Sequence, residues 1–362
     1  MLKAGRLASV RPFLGKVLAR ARALGGYAPI FVRAAAGLGR RRLEPPLVIL
    51  HAGEHKTGTT TLQAVFKKDR RLFARQGIYV LRAGQGSDGA HHRLIYALTG
   101  QPLGRVSPRL LRAELTQAAP RTVLISSETA KKAMVQGRGD QLIDALRDAG
   151  AGRVRLLLYL RSPFGLANAS YSGLTSRLEL AGAKFAEFLK VHNEAPAYDY
   201  HHILALAERD DVELVVRPYS SIARRSIVAD FAETLGLDLS QVEEPRHNGS
   251  FGPVGLEALR QMGAEHRGLS VKQRHRLRRP LMAIARALAE EPFWGIDAEH
   301  EALLSAADSS TEAFALAVWN KGWREVIGEE RRPLNLFDPD NNAQRALLET
   351  ALHQMRRAAS RM

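Results

Sequence analysis

The sequence predicts an α/β fold, a central and mainly parallel sheet flanked by helices, with a helical C-terminal region after it. Three observations carry this expectation. Short apolar runs rich in Val, Ile and Leu recur at 47–50, 78–81, 122–126, 154–160 and 212–216. Stretches with helical spacing of apolar residues separate them, and strands alternating with helices form parallel crossover units. From Pro253 onward one helical pattern follows another, with no further strand signal.

The first unit, "LVILHAGEHKTGTTTLQAVF" at 47–66, organises the rest. It reads as strand, Gly/Thr-rich loop, then helix, with Leu62, Val65 and Phe66 at helical spacing. Unpaired N–H groups at such a helix start converge on one point where the helix dipole favours negative charge, so a phosphate or sulfate can settle there. A Walker A loop, G-x-x-x-x-G-K-[ST], sets its lysine after the second glycine to reach the β and γ phosphates of a nucleoside triphosphate. Gly53 and Gly58 keep that separation, but Thr59 and Thr60 follow, and the lysine is Lys56, ahead of Gly58. The unit is therefore P-loop-like but suited to a shorter anion.

The next helix is expected from about 60 to 75, breaking near Asp69 and stopped by Gly77 before strand 78–81. A polar loop then delivers His91 and His92 to the start of a short helix. Ser107 and Pro108 make an N-cap and first-turn pair for a helix to about 117. Strand 122–126 places Ser127 and Glu128 just beyond its carboxyl end, where open parallel sheets bind ligands. A helix at 140–148, stopped by Gly150, leads to strand 154–160, and Arg161 follows at once. Strand 212–216 ends in Arg217-Pro218-Tyr219. The helix after it has Ile227, Phe231 and Leu235 on one face and Gly236 as its stop. Farther on, "VKQRHRLRRP" at 271–280 is a concentrated basic run. Trp319 and Trp323, at i and i+4, predict one helix packed on one face, as core rather than as a sugar platform.

The 362 residues carry 53 Lys and Arg against 37 Asp and Glu, a net charge of +16, and no cysteine. The charge points to anionic partners. The missing cysteine excludes disulfides and thiolate metal sites, so the chain is compatible with a reducing compartment. Ten basic residues and no acid fall in 1–43. Apolar stretches there are shorter than the roughly 20 residues a membrane span needs, and no secretory cleavage pattern follows them. That arm reads either as a basic amphipathic segment on an anionic membrane face, each cation adding about 1 kcal/mol, or as a solvated tail. The expected organisation is an arm at 1–43, an α/β core at 44–252 and a helical region at 253–362 packed on the core. The expected location is cytoplasmic, with peripheral contact at the inner membrane face through the arm.

Two segments resemble a known family. "HKTGTTTLQ" at 55–63 resembles the 5′-phosphosulfate loop of sulfotransferases that use 3′-phosphoadenosine 5′-phosphosulfate (PAPS). "YLRSPFGLANASYSG" at 159–173 resembles their 3′-phosphate segment, in which a strand-terminal arginine and a serine eight residues later hold that phosphate. Arg161 fills the first place; position 169 is Ala, and Ser170 stands nine later. The strand ending in R-P-aromatic before a D-F-x-x-x-L-G helix is similar to the bacterial members, and the whole resemblance spans 47–252.

The resemblance implies sulfuryl transfer from PAPS to a hydroxyl or amine, without a metal. It implies a nucleotide held by His55, Lys56, Thr57, Gly58, Thr59, Thr60, Thr61, Arg161 and Ser170, and by Arg246 in a polar turn at 246–252. Lys56 would neutralise charge on the leaving phosphate. The acceptor needs a base, for which His92, His91 and Glu128 are the candidates, His92 slightly preferred. The expected acceptor is a saccharide or glycolipid, or else a small hydroxylated molecule, and nucleic acid is not an expected partner. Two alternatives stay open. One is a P-loop small-molecule kinase, disfavoured by the lysine position and by strand ends carrying Ser126, Arg161 and Arg217 in place of a Walker B aspartate. The other is a non-enzymatic protein binding nucleic acid or membrane through its charge.

Overall fold

The computed structural model describes residues 44–104, 106–118, 121–193, 200–219, 226–244, 250–305, 309–328 and 330–361. The basic arm at 1–43 and Arg246 lie outside them. In chain order the elements are β1 (Leu47–Gly53), α1 (Thr59–Lys68), α2 (Arg70–Arg75), β2 (Ile78–Val80), α3 (His92–Leu98), α4 (Pro108–Ala118), β3 (Thr122–Ser126) and α5 (Thr129–Ala133). A π-turn at Met134–Arg138 leads to α6 (Gly139–Asp148), β4 (Arg153–Leu160), α7 (Pro163–Ser176), α8 (Phe185–Asn193), α9 (His201–Ala207), β5 (Val212–Pro218) and α10 (Ile227–Leu235). The C-terminal region holds α11 (Pro253–Glu265), α12 (Val271–Ala287), α13 (Ala298–Ser305), α14 (Ser309–Trp319), α15 (Trp323–Ile327) and α16 (Asn342–Ala359).

The five strands form one all-parallel sheet in the order β2-β3-β1-β4-β5. β1 is central, and the chain reaches β2 and β3 on one side of it before crossing to β4 and β5 on the other. The crevice opened beside β1 by that reversal is where doubly wound sheets bind ligands. β4 is almost continuously apolar because helices cover both of its faces.

Alternating side chains build two cores. Val48, Leu50, Ile125, Leu156 and Leu158 face one way, against α3, α4, α6 and α9. Ile49, Leu124 and Leu157 face the other, against Leu62, Val65 and Phe66 of α1 and Phe231 of α10. The Phe66 and Phe231 rings lie 4.8 Å apart, and truncating such a buried ring costs about 3–5 kcal/mol, so α1 is held firmly. The helix stops at Asp69, as its sequence predicts.

The C-terminal helices are joined to the α/β layer in two places. Phe314, Trp323 and Ile327 enter the core on the first sheet face. α7, α8, α11, α12 and α16 share a third core containing Tyr171, Phe185, Leu259 and Leu281. Asn168 of α7 fastens the joint, donating to the Phe293 carbonyl at 3.0 Å and accepting from the Gly295 N–H at 2.9 Å.

One expectation fails here: Trp319 ends α14 and Trp323 opens α15, so the pair shares no helix. Asn320, with φ 53°, and Gly322 break the helix between them. Their rings still lie 6.1 Å apart, and Trp323 is buried as core. No described helix is long and apolar enough to cross a membrane.

Candidate anion-binding cleft

A cleft of about 1220 Å³ opens at the carboxyl ends of β1, β3 and β4. Its floor is the loop after β1. Gly53 has φ 90°, and a Cβ there would lie 2.6 Å from the Glu128 Cβ. Only glycine permits both that backbone and that approach, which brings the residue after β3 against the loop.

Glu54 then clamps the loop from inside. Its buried carboxylate accepts the Arg161 backbone N–H and the Lys131 ammonium, each at 2.9 Å. Its own N–H donates to the Tyr159 carbonyl at 2.9 Å, and its carbonyl accepts the Thr57 hydroxyl at 2.7 Å. Removing one member of so buried a pair costs about 3–5 kcal/mol. The loop is thereby tied to β4 and α5 at once.

Lys56 and Gly58 both adopt left-handed conformations, φ 65° and 76°. For a lysine that geometry costs roughly 1–2 kcal/mol. Among the described residues, the backbone N–H groups of His55 to Thr60 have no hydrogen-bond acceptor. The Lys56 ammonium lies against Gly173 of α7, in space that any side chain at 173 would fill. Burial, then the guanidinium groups of Arg177 and Arg161, push its pKa down to about 8. Lys56 is thus a partly desolvated cation without an acid partner among the described residues, beside a row of free amide donors.

The loop threonines divide. Thr59, Thr60 and Thr61 line the cleft. Thr57 does not, because its hydroxyl is buried and spent on the Glu54 carbonyl.

The candidate bases also separate. Glu128 fronts the cleft, its Oε2 accepting from Gln63 Nε2 at 2.8 Å, its Oε1 3.6 Å from His55 Nδ1 and 3.7 Å from His92 Nε2. Burial raises its pKa, but His92, His55 and the Gln63 bond together outweigh that and hold the carboxyl below its usual range. His55 lines the cleft, and desolvation lowers its pKa to about 4 against the opposing pull of Glu128. His92 stands behind Glu128, its Nδ1 2.9 Å from the Ser127 hydroxyl.

His91 is buried away from the cleft. Its Nε2 faces the Leu81 carbonyl at 2.8 Å, and its Nδ1 accepts the Ser126 N–H at 3.2 Å. With both ring nitrogens engaged by backbone, it pins β2 to β3. Of the three candidate bases, Glu128 lines the cleft, and neither His91 nor His92 does.

Arg161, at the end of β4, leans over the same loop, its Nη1 donating to the Lys56 carbonyl at 3.3 Å. The rest of its guanidinium is held bidentately by Glu330, at 2.6 and 2.9 Å. Gly165 leaves room for that pair. Ser170 lines the cleft together with Ala169, so both register positions of the serine face it. Arg217 does not take part; it is clamped to Asp230 at 2.5 Å, joining β5 to α10. In the polar turn, Ser250 and Phe251 reach the cleft wall.

Glu54, Gln63, Lys131, Arg177 and Glu330 escaped the sequence reading. Glu54 directly follows β1, and its partners Lys131 and the Arg161 N–H lie 77 and 107 residues away, so no local pattern announces the clamp. Glu330 stands 169 residues from its partner, and nothing local announces it. Searches with the chain find no matching family model, no similar curated protein and no similar solved structure.

Proposed function

We propose that the protein transfers a sulfuryl group from PAPS to a hydroxyl or amine of an acceptor, a saccharide or glycolipid. The observation that carries this reading is Lys56: a cation with no acid partner among the described residues, placed ahead of Gly58 in a strained turn, beside amide donors that none of those residues engages and within reach of Arg161. A nucleoside triphosphate loop holds its lysine later, for a second phosphate.

Transfer forms a bond between the acceptor oxygen or nitrogen and sulfur. It breaks the bond from sulfur to the bridging oxygen of the 5′-phosphate, and adenosine 3′,5′-bisphosphate leaves. Negative charge grows on that bridging oxygen, where Lys56 and the loop amides neutralise it as preorganised donors. The acceptor proton passes to Glu128, ionised at neutral pH and open to the cleft. His92 orients that carboxylate from behind. Arg161 and Ser170 hold the 3′-phosphate, so Glu330 has to yield part of its grip.

Incubating the protein with radiolabelled PAPS and a cell extract, then identifying the labelled product, tests the reading. Label should enter an acceptor with wild type, fall by about 100-fold or more with Glu128→Gln if the base works as typical general bases do, and vanish with Lys56→Ala. Transfer of label from γ-labelled ATP instead would replace this reading with a kinase.

A further inference from the structure

The basic run of α12 belongs to neither the nucleotide loop nor the base, yet it turns toward the same cleft. Leu277, Leu281 and Ala285, four apart, are buried in the third core. The face beside them carries Arg278, Arg279, Met282 and Arg286, and all four line the cleft. Lys132, from the end of α5, joins them there.

Among the described residues none of these four cations has an acid partner, whereas Arg177 and Lys131 are paired to Glu179 and Glu54. Arg286 lies over the Phe251 ring at 4.8 Å, and its Nε is shielded from solvent with no hydrogen-bond partner among the described residues. Burial disfavours its charge. Like charges gathered without counter-ions repel one another and are costly to desolvate, so the arrangement is suited to an anion brought by a ligand. At about 1220 Å³ the cleft also exceeds the roughly 300–1,000 Å³ of a single small-molecule site, leaving room for a second molecule.

We infer that the face of α12 formed by Arg278, Arg279 and Arg286 binds an anionic group of the acceptor, which is a saccharide carrying carboxylate or phosphate. This rests on the sulfotransferase reading and narrows it: neutral sugars are poor acceptors. The guanidinium forks take planar carboxylates or phosphates bidentately, and Lys132 adds a further cation to the lining of the same cleft.

Binding of oligogalacturonate, of a phosphorylated maltooligosaccharide and of the plain maltooligosaccharide is measured by calorimetry on the full chain, with adenosine 3′,5′-bisphosphate titrated separately. Three proteins are compared: wild type, Arg278→Gln/Arg279→Gln, and Lys272→Gln/Arg276→Gln. The last removes the same charge from exposed positions of the same helix outside the cleft. At least one charged oligosaccharide should bind wild type, and which one names the anion. The cleft double variant should weaken it by at least about tenfold, with bisphosphate affinity held within about twofold, while the outward variant changes little. Equal binding of the neutral sugar, equal loss in both double variants, or a larger loss for bisphosphate than for saccharide would each overturn the inference. Failure of bisphosphate to bind wild type counts against the sulfotransferase reading alone, since the saccharide titrations report the anion site directly.

Discussion

Arg161 donates to the Glu330 carboxylate at the position where, as proposed, a phosphate binds. Carboxylate and phosphate compete for one guanidinium fork. Glu330→Gln should therefore tighten adenosine 3′,5′-bisphosphate by about tenfold, or ~1.4 kcal/mol, in a fluorescence displacement titration; weaker binding would make Glu330 a support for Arg161 rather than a competitor. Lys56 makes a second claim at this scale. Its pKa near 8 leaves it charged at neutral pH and neutral above. Anion affinity should hold up to pH 7 and fall as pH rises through about 8, and Lys56→Arg should shift that fall upward, since arginine stays protonated. The sequence made Lys56 and Arg161 legible because loop and strand-end positions are local patterns. It left Glu330 and the burial of His91 illegible, because both depend on contacts between distant segments.

The unit of β1, loop and α1 sets the geometry, and its glycines are where a side chain does most harm. Gly53 needs φ 90° and has the Glu128 backbone 2.9 Å from its absent Cβ. Gly53→Ala should lose a few kcal/mol of stability through left-handed strain and overpacking together, and should weaken anion binding as Glu128 and the loop part. Thermal melts and bisphosphate titration on one preparation check both; unchanged binding would detach Glu128 from the loop's geometry. All five strand positions and the break at Asp69 were readable from apolar runs and breakers. The division of α14 from α15 was not, because an i, i+4 tryptophan pair fits one helix as well as two that meet at a left-handed Asn320.

Across the whole molecule, three cores hold sheet and C-terminal helices together, so a change at one histidine is felt as global stability. His51 is packed among Phe66, Tyr159 and Phe231, and His91 sits between β2 and β3. Desolvation lowers both pKa values to about 4. The unfolded chain takes up these protons near pH 6.5 and the folded chain only near 4, so their contribution is whole above about 6.5 and lost as pH falls between those values. Each is worth up to about 3 kcal/mol, and urea midpoints should fall steeply from pH 7 to 5; a flat profile would show that protons reach these rings in the folded state. The α/β class and its parallel sheet followed from periodicity, while the joining of α7 to the C-terminal helices rests on Asn168 and on packing that no local pattern encodes. The most direct measurement is calorimetric titration of adenosine 3′,5′-bisphosphate into wild type and Lys56→Ala. Saturable one-to-one binding that the alanine weakens by about tenfold or more is expected; absence of binding to wild type, or equal affinity in the two proteins, would contradict the proposed function.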